Sequence, residues 1–359
     1  MVFKMINKED WNEVKDVFKA WWEGSLDKPI LQIFAPKNDY WRETVDIWVF
    51  LRHYPNVDKA IDTLLSQFRE VCFLGEAYPN AWINLGPGFL SACLGADVKF
   101  NPEIDTAWFE GRMKLEEIKK VEFDTQNEWW RYLIKCTRTA LERCRKEAVV
   151  GLTDLLDPIT VLGLLRGNFP TDMIRDVFLN WSSLVEAVRR VEEIWFQSYE
   201  ELCGLINNPE NGFSTWAGLW SDRRHYVLQC DTIVYLSPRV FDQLVYPYIV
   251  KACKTIERTI WHLDGPLELK HLEKLLDIPE LDGIQWVPGA GNPDGGEEIW
   301  APLYRKIQER GKLLQIFVQP QRVLHILNKI SPKGVAIQTT CASYKEAREL
   351  IDRFKAAYG

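Results

Sequence analysis

Thr259-Ile-Trp-His-Leu-Asp-Gly265, followed at once by Pro266, is the stretch on which the reading of this 359-residue chain turns. Thr259–Leu263 is an apolar, β-branched run that predicts a buried strand, and Asp264-Gly265-Pro266 stops it abruptly. Residues two apart on a strand point to the same side, so His262 and Asp264 project together at its carboxyl end. A second such run, Gly334-Val-Ala-Ile-Gln-Thr-Thr-Cys341, ends near the close of the chain. In a closed parallel barrel Cys341 then stands opposite His262 and Asp264.

Working outward, Trp11, Val14, Val17, Phe18 and Trp21 recur at the spacing of an amphipathic helix that opens the chain. Pro29–Ala35 is a nearly continuous apolar run, as in a strand covered on both faces. Residues 42–74 read as helical with a break at Pro55, and Ala81–Leu85 as a second strand. A small added sheet is expected between about residues 95 and 121, then a helix over Trp129–Lys146 and a strand over Val149–Thr153. Helices at Ile159–Leu165 and Ser183–Ile206 follow. Further strands are expected at Tyr226–Asp231, Gly283–Val287, Leu313–Val318 and Val335–Gln338. This alternation predicts parallel strands with right-handed crossovers. The reading is α/β, a single (β/α)8 TIM barrel over residues 1–359 with an N-terminal helical extension, and a doubly wound open sheet is the alternative. Polar residues collect at the strand ends: Asn84, Thr153-Asp154, Cys230-Asp231, His262 with Asp264, Gln285, and Cys341. In such a barrel the site lies there.

The formal charge of −7 and the lack of any basic stripe exclude a nucleic-acid partner. No apolar run reaches the length of a membrane span, and the first residues lack a signal peptide's apolar core. The eight cysteines are scattered without a CxxC pair, which predicts free thiols and a cytoplasmic protein.

The chain resembles the uroporphyrinogen decarboxylase superfamily. The resemblance rests on the opening helix with Asp27-Lys-Pro-Ile30, the helix start Leu236-Ser-Pro-Arg-Val-Phe-Asp-Gln-Leu-Val-Tyr-Pro-Tyr248, the segment His262-x-Asp264-Gly265, and the last strand with Cys341. In site pattern it is most similar to the zinc-dependent methylcobamide:thiol (coenzyme M) methyltransferase branch, whose metal motif is His-x-Cys and a distant Cys. His262 and Cys341 match that motif, and Asp264 stands where the middle cysteine belongs. The chain departs from the decarboxylase branch. Gln32-Ile-Phe-Ala-Pro-Lys37 replaces an arginine-rich first strand end, and Asn84-Leu-Gly-Pro-Gly88 replaces an aspartate at the second.

The resemblance implies a (β/α)8 barrel binding zinc through His262, Asp264 and Cys341, a donor set tetrahedral zinc accepts. It implies a methyl transfer between a corrinoid or small methylated compound and a thiol or cobalamin acceptor, with a corrinoid protein as partner. His262 and Asp264 are the expected catalytic pair. Asn84, Trp216, Cys230, Asp231, Gln285 and Trp286 are expected to contact substrate, the tryptophans because aromatic faces suit a methylammonium group or a corrin ring. Trp261 alternates with His262 and is expected to point away. Pro288–Gly296 reads as a lid or a solvated loop, and His225 as a minor candidate near the mouth. Two other readings stay open: a metal-free decarboxylase or lyase using His262 and Asp264 as acid–base groups, and a non-catalytic barrel that binds a corrinoid.

Overall fold

The computed structural model describes residues 8–38 and 45–359. Its first helix, Trp11–Trp22, buries Trp11, Val14, Phe18 and Trp21 of the expected stripe, with Val17 half-buried and Trp22 buried in addition. The strands in chain order are β1 (Ile30–Pro36), β2 (Val71–Gly75), β3 (Asn80–Trp82), β4 (Asp97–Asn101), β5 (Thr106–Glu110) and β6 (Val149–Gly151). They continue with β7 (His225–Leu228), β8 (Arg258–Asp264), β9 (Gly283–Val287), β10 (Leu313–Phe317) and β11 (Val335–Thr340). Seven form one sheet in the order β2-β1-β11-β10-β9-β8-β7, parallel throughout except for β2. β3 and β6 form a separate parallel pair, and β4 and β5 a hairpin.

The expected closed ring of hydrogen-bonded strands is not what the pairing shows. β1 has both edges filled, by β11 on one side and antiparallel β2 on the other, so β3 has no edge to join. The free side of β6 is taken by residues 211–214: Leu152 donates its N–H to the Ser214 carbonyl at 2.9 Å, and Asn211 exchanges bonds with the Val150 backbone. Residues 71–74 were expected to extend a helix. Instead the helix Val57–Glu70 stops where Val71-Cys-Phe-Leu-Gly75 pairs with β1, because an open strand edge outcompetes a weak local helix preference. The part of the expected helical stretch at residues 42–44 lies outside the described residues. A helix at Thr171–Leu179 was not foreseen.

The strands alternate between two environments. Leu31, Ile33, Leu228, Trp261, Leu263, Ile284, Trp286, Leu314, Ile316 and Ile337 pack outward among the helices. Ile30, Val149, Val227, Ile260, Leu313 and Ala336 point the other way, into a smaller core closed by Trp11, Trp21, Trp22 and Trp220. The inner positions therefore stack in layers, with the apolar layer at the amino ends of the strands. Among the described residues no helix is long and apolar enough to cross a membrane.

Candidate active site

Two residues beyond most of the apolar inner positions the chain places a polar side chain, Val149 with Gly151 being the exception. Ile30 is followed by Gln32, Val227 by Gln229, Ile260 by His262, Leu313 by Gln315 and Ala336 by Gln338; Gly283 is likewise followed by Gln285. The segment 214–218 runs against this layer. Gln32 donates Nε2–H to the Gly218 carbonyl at 2.9 Å, Gln315 donates to Ala217 at 2.8 Å, and Asn80 donates to Thr215 at 2.8 Å. Gln285 donates to Gln315 Oε1 at 2.7 Å, and its own Oε1 lies 2.5 Å from His262 Nδ1. The Trp216 ring stands perpendicular to the His262 imidazole, at a centroid distance of 5.0 Å and an interplanar angle of 88°. Burial holds the His262 pKa below its ordinary value, against the opposing pull of Gln285 and Asp264, so the imidazole is neutral at pH 7.

Beyond that layer the strand ends are acidic. Asp264 is exposed at the tip of β8, and Asp231 follows β7 at the matching height. Asp231 touches solvent yet sits in a recess. Desolvation, with the charge of Asp264 added, pushes its carboxyl up to about 6. Asp154 follows β6 and receives Gln229 Nε2 on both oxygens, at 2.8 and 2.9 Å; burial raises it to about 6. Asp157, fully buried, caps the helix Pro158–Arg166 through the Ile159 and Thr160 N–H groups, and burial raises it to about 7. Glu268 accepts the Asp264 N–H at 3.1 Å. Burial pushes its carboxyl up to about 9, with Asp264, Asp231 and Asp157 adding to the shift. Five carboxyl groups from three neighbouring strand ends thus share one mouth, and burial holds four of them, Asp154, Asp157, Asp231 and Glu268, above the ordinary carboxylate range.

The residues singled out from sequence fall into two groups. His262, Asp264, Asp231, Asp154, Gln285 and Trp216 come together at this mouth or in the layer beneath it. The others do not join them. Trp286 faces the helices, its ring 5.0 Å from that of Trp300, because it alternates with Gln285. Trp261 faces the same way. Asn84 spends its side chain on backbone groups, donating to the distant Ile47 O and accepting from the nearby Gly86 N. Cys230 is buried against Thr160 and Thr232, where burial holds its thiol well above the ordinary range. His225 is no mouth residue: it starts β7 at the opposite end, fully buried 4.9 Å from the Trp22 ring. The Pro288–Gly296 loop follows β9 beside Asp264, and the Gly265 N–H is bonded to Val287 O at its base.

Cys341 is also elsewhere. β11 ends at Thr340, and Cys341 is a further residue on, with its N–H bonded to Phe34 O at 2.8 Å. It therefore has the parity of Ile337, not of inward-facing Gln338, and it packs in the helix-side core. Burial pushes its thiol up to about 12, with Glu346 adding to the shift. Among the described residues no three His, Cys, Asp or Glu side chains lie close enough to hold a metal ion. As placed here, His262, Asp264 and Cys341 do not form a zinc ligand set.

Sequence reasoning passed over Gln229, Gln315, Asp157 and Glu268. The glutamines carried a signal: one Gln near the middle or end of an otherwise apolar strand, repeated from strand to strand. Asp157 and Glu268 carried none beyond a helix cap and a turn.

No protein-family model and no curated protein sequence matches the chain. Solved structures do match its fold. One is a methyltransferase from Methanosarcina mazei, with a TM-score of 0.63 and 12% sequence identity, covering 96% of this chain and 99% of that one. At that identity the likeness is one of fold.

Proposed function

We propose that this chain is a methyltransferase-like enzyme of the uroporphyrinogen decarboxylase fold, with its strands arranged as a distorted (β/α)8 barrel. It moves a methyl group from a small, positively charged methylated compound to a thiol-type acceptor. One observation carries the reading: a neutral His262 set against Trp216 and Gln285 beneath an acidic mouth. The full-length fold likeness to a methyltransferase supports it.

Each group has work to do in this reading. Asp231 and Asp264 attract the cationic donor, and the Trp216 ring offers it a π face. His262 takes the proton from the acceptor S–H as sulfur attacks the methyl carbon. The carbon–heteroatom bond breaks, its electron pair stays on the donor atom, and the donor leaves neutral. The atoms and charge balance, since the positive charge passes from the donor to the imidazolium. A methyl-corrinoid on a partner protein is the other donor chemistry this reading admits. A polyanionic porphyrinogen is disfavoured because the exposed carboxyl groups of Asp231 and Asp264 at the mouth repel it.

The test is a panel of ¹³C-methyl sulfonium, ammonium and corrinoid donors with a thiol acceptor, followed by NMR. A thioether methyl signal that disappears in His262→Ala supports the reading. The second reading, a metal-free lyase, is favoured by the raised carboxyl pKa values at the mouth. It predicts instead carbon dioxide or an eliminated fragment from carboxylate substrates, with no methyl transfer. That result overturns the proposal.

A further inference from the structure

The side chains beneath the mouth form a hydrogen-bonded line whose polarity is fixed at one end. It begins at the Ala217 carbonyl, in the segment that runs against the inner layer, and passes through Gln315 and Gln285 to His262. A carbonyl oxygen only accepts, so Gln315 must turn its Nε2–H group toward Ala217. Its Oε1 then faces Gln285, which must answer with its own N–H. That leaves Gln285 Oε1 directed at His262 Nδ1, at 2.5 Å. An amide oxygen carries no hydrogen, so Nδ1 of the imidazole must supply one. Each amide is oriented by its neighbour, and reversing any one of them sets donor against donor and acceptor against acceptor.

We propose that Gln285 and Gln315 are positioning residues that hold neutral His262 as the Nδ1–H tautomer, leaving Nε2 as a bare acceptor for the reacting proton. Nδ1–H is the minor tautomer of free histidine, so the protein has to impose it. The line is equipped to do so. Gln285 and Gln315 are completely buried, and water does not compete for their amides. An amide is the right residue type for the task. A glutamate in its place would bring a charge and stabilise the imidazolium, whereas glutamine orients the ring and leaves it neutral. Among the described residues no hydrogen bond reaches His262 Nε2, which leaves that atom for a ligand. The neighbouring glutamines show that the layer alone does not do this. Gln32 donates to Gly218 but its Oε1 has no partner, and it orients nothing.

This inference gives a direction to the proton transfer proposed above, but it is tested without substrate, so the two fail separately. The full-length protein is labelled with ¹⁵N-histidine, and two-bond imidazole correlations are recorded at pH 7.5. His262 is assigned by the resonance lost in His262→Ala. The expected result is a protonated Nδ1 and an unprotonated Nε2. An Nε2–H tautomer in the wild type overturns the proposal. Gln315→Leu leaves His262 untouched but frees the Gln285 amide to rotate. The tautomer ratio should then fall by about fivefold, the worth of one net hydrogen bond. Gln315→Glu loses the bond to Ala217 but keeps an oxygen for the Gln285 N–H, so it should retain the wild-type tautomer. An unchanged tautomer in folded Gln315→Leu means that the line does not set it, and the positioning role is wrong. If neither variant folds, the wild-type spectrum still decides the tautomer, and Gln285→Leu replaces them for the role of the amide.

Discussion

The two ends of the parallel strands are built from the same alternation and put to opposite uses. At the amino ends the inward positions are Ile30, Val149, Val227, Ile260, Leu313 and Ala336, sealed by Trp11, Trp21, Trp22 and Trp220. At the carboxyl ends the same rows continue into glutamines, then His262, then Asp231 and Asp264. Even histidine follows the division. His225 at the sealed end is fully buried, with its pKa driven down to about 4 by burial, whereas His262 keeps solvent contact. The sealed end stores stability, and the open end concentrates groups that cost stability to bury. A strand thus has a structural end and a chemical end, and substitutions should sort accordingly.

The largest separation is expected from the two histidines. His262→Ala should lower turnover by roughly a hundredfold to ten-thousandfold, the usual contribution of a positioned acid–base group. His225→Ala should leave turnover per folded molecule within about twofold, because the residue lies at the far end of β7, while lowering the melting temperature. Comparable losses of turnover in both variants, measured on folded protein, would break the division between the ends.

Trp11→Ala tests the sealed end in the other direction. Trp11 is completely buried, with ring contacts at 5.1 Å to Tyr78 and 5.7 Å to Trp220. Its removal should cost about 3–5 kcal/mol in denaturant unfolding. The His262 imidazole resonances of the surviving folded fraction should not move. A shifted His262 signal would show that the two ends are mechanically coupled and not merely adjacent.

Much of this division was readable before any coordinates. The parity of His262 and Asp264 on β8 followed from period-two alternation, and the stop at Asp264-Gly265-Pro266 marked the end of the strand. The same parity argument was available for Trp286, which is adjacent to inward-facing Gln285 and so must face the helices. It was likewise available for Cys341, three residues past inward-facing Gln338 and therefore on the opposite face. Matching a motif in place of counting parity put Cys341 at the mouth, and the suitability of an aromatic face put Trp286 there. The open pairing of the sheet was not readable. It depends on β2 reaching back to the free edge of β1 and on residues 211–214 reaching β6, long-range contacts that leave no local pattern. Asp157 and Glu268 were hidden for the same reason. A helix cap and a carboxylate in a turn look alike in sequence whether they face solvent or a shared mouth.

Glu268 sharpens the claim that the open end is built at a cost. Its folded pKa of about 9 lies above that of an unfolded glutamate, so the folded state holds a proton that the unfolded state has released. Between the two values the folded protein binds more protons, and stability falls as pH rises. The effect begins above the unfolded pKa and levels off near pH 9. Glu268→Gln keeps an oxygen for the Asp264 N–H and removes the titration. The variant should be more stable than wild type by about 1–3 kcal/mol at pH 7.5, with the two curves meeting near pH 4. Identical pH profiles would mean that Glu268 is not desolvated as placed.

The smallest expected effect is that of zinc. In this structure Cys341 belongs to the helix side of β11, and His262 and Asp264 alone are too few for the tetrahedral sites that structural or catalytic zinc occupies. Protein purified without chelator, then supplied with zinc and desalted, should retain far less than one equivalent by elemental analysis. Its melting temperature should not move, since an ion bound only to the folded state would raise it by mass action. Asp264→Cys restores a His-x-Cys pair without bringing Cys341 closer, so it too should retain little. Retention of one equivalent by the wild type, lost in Cys341→Ala, would show that the end of β11 turns inward when metal is present. The line between the two faces of the sheet would then be conditional at that residue, and the acid–base role of His262 would give way to metal coordination.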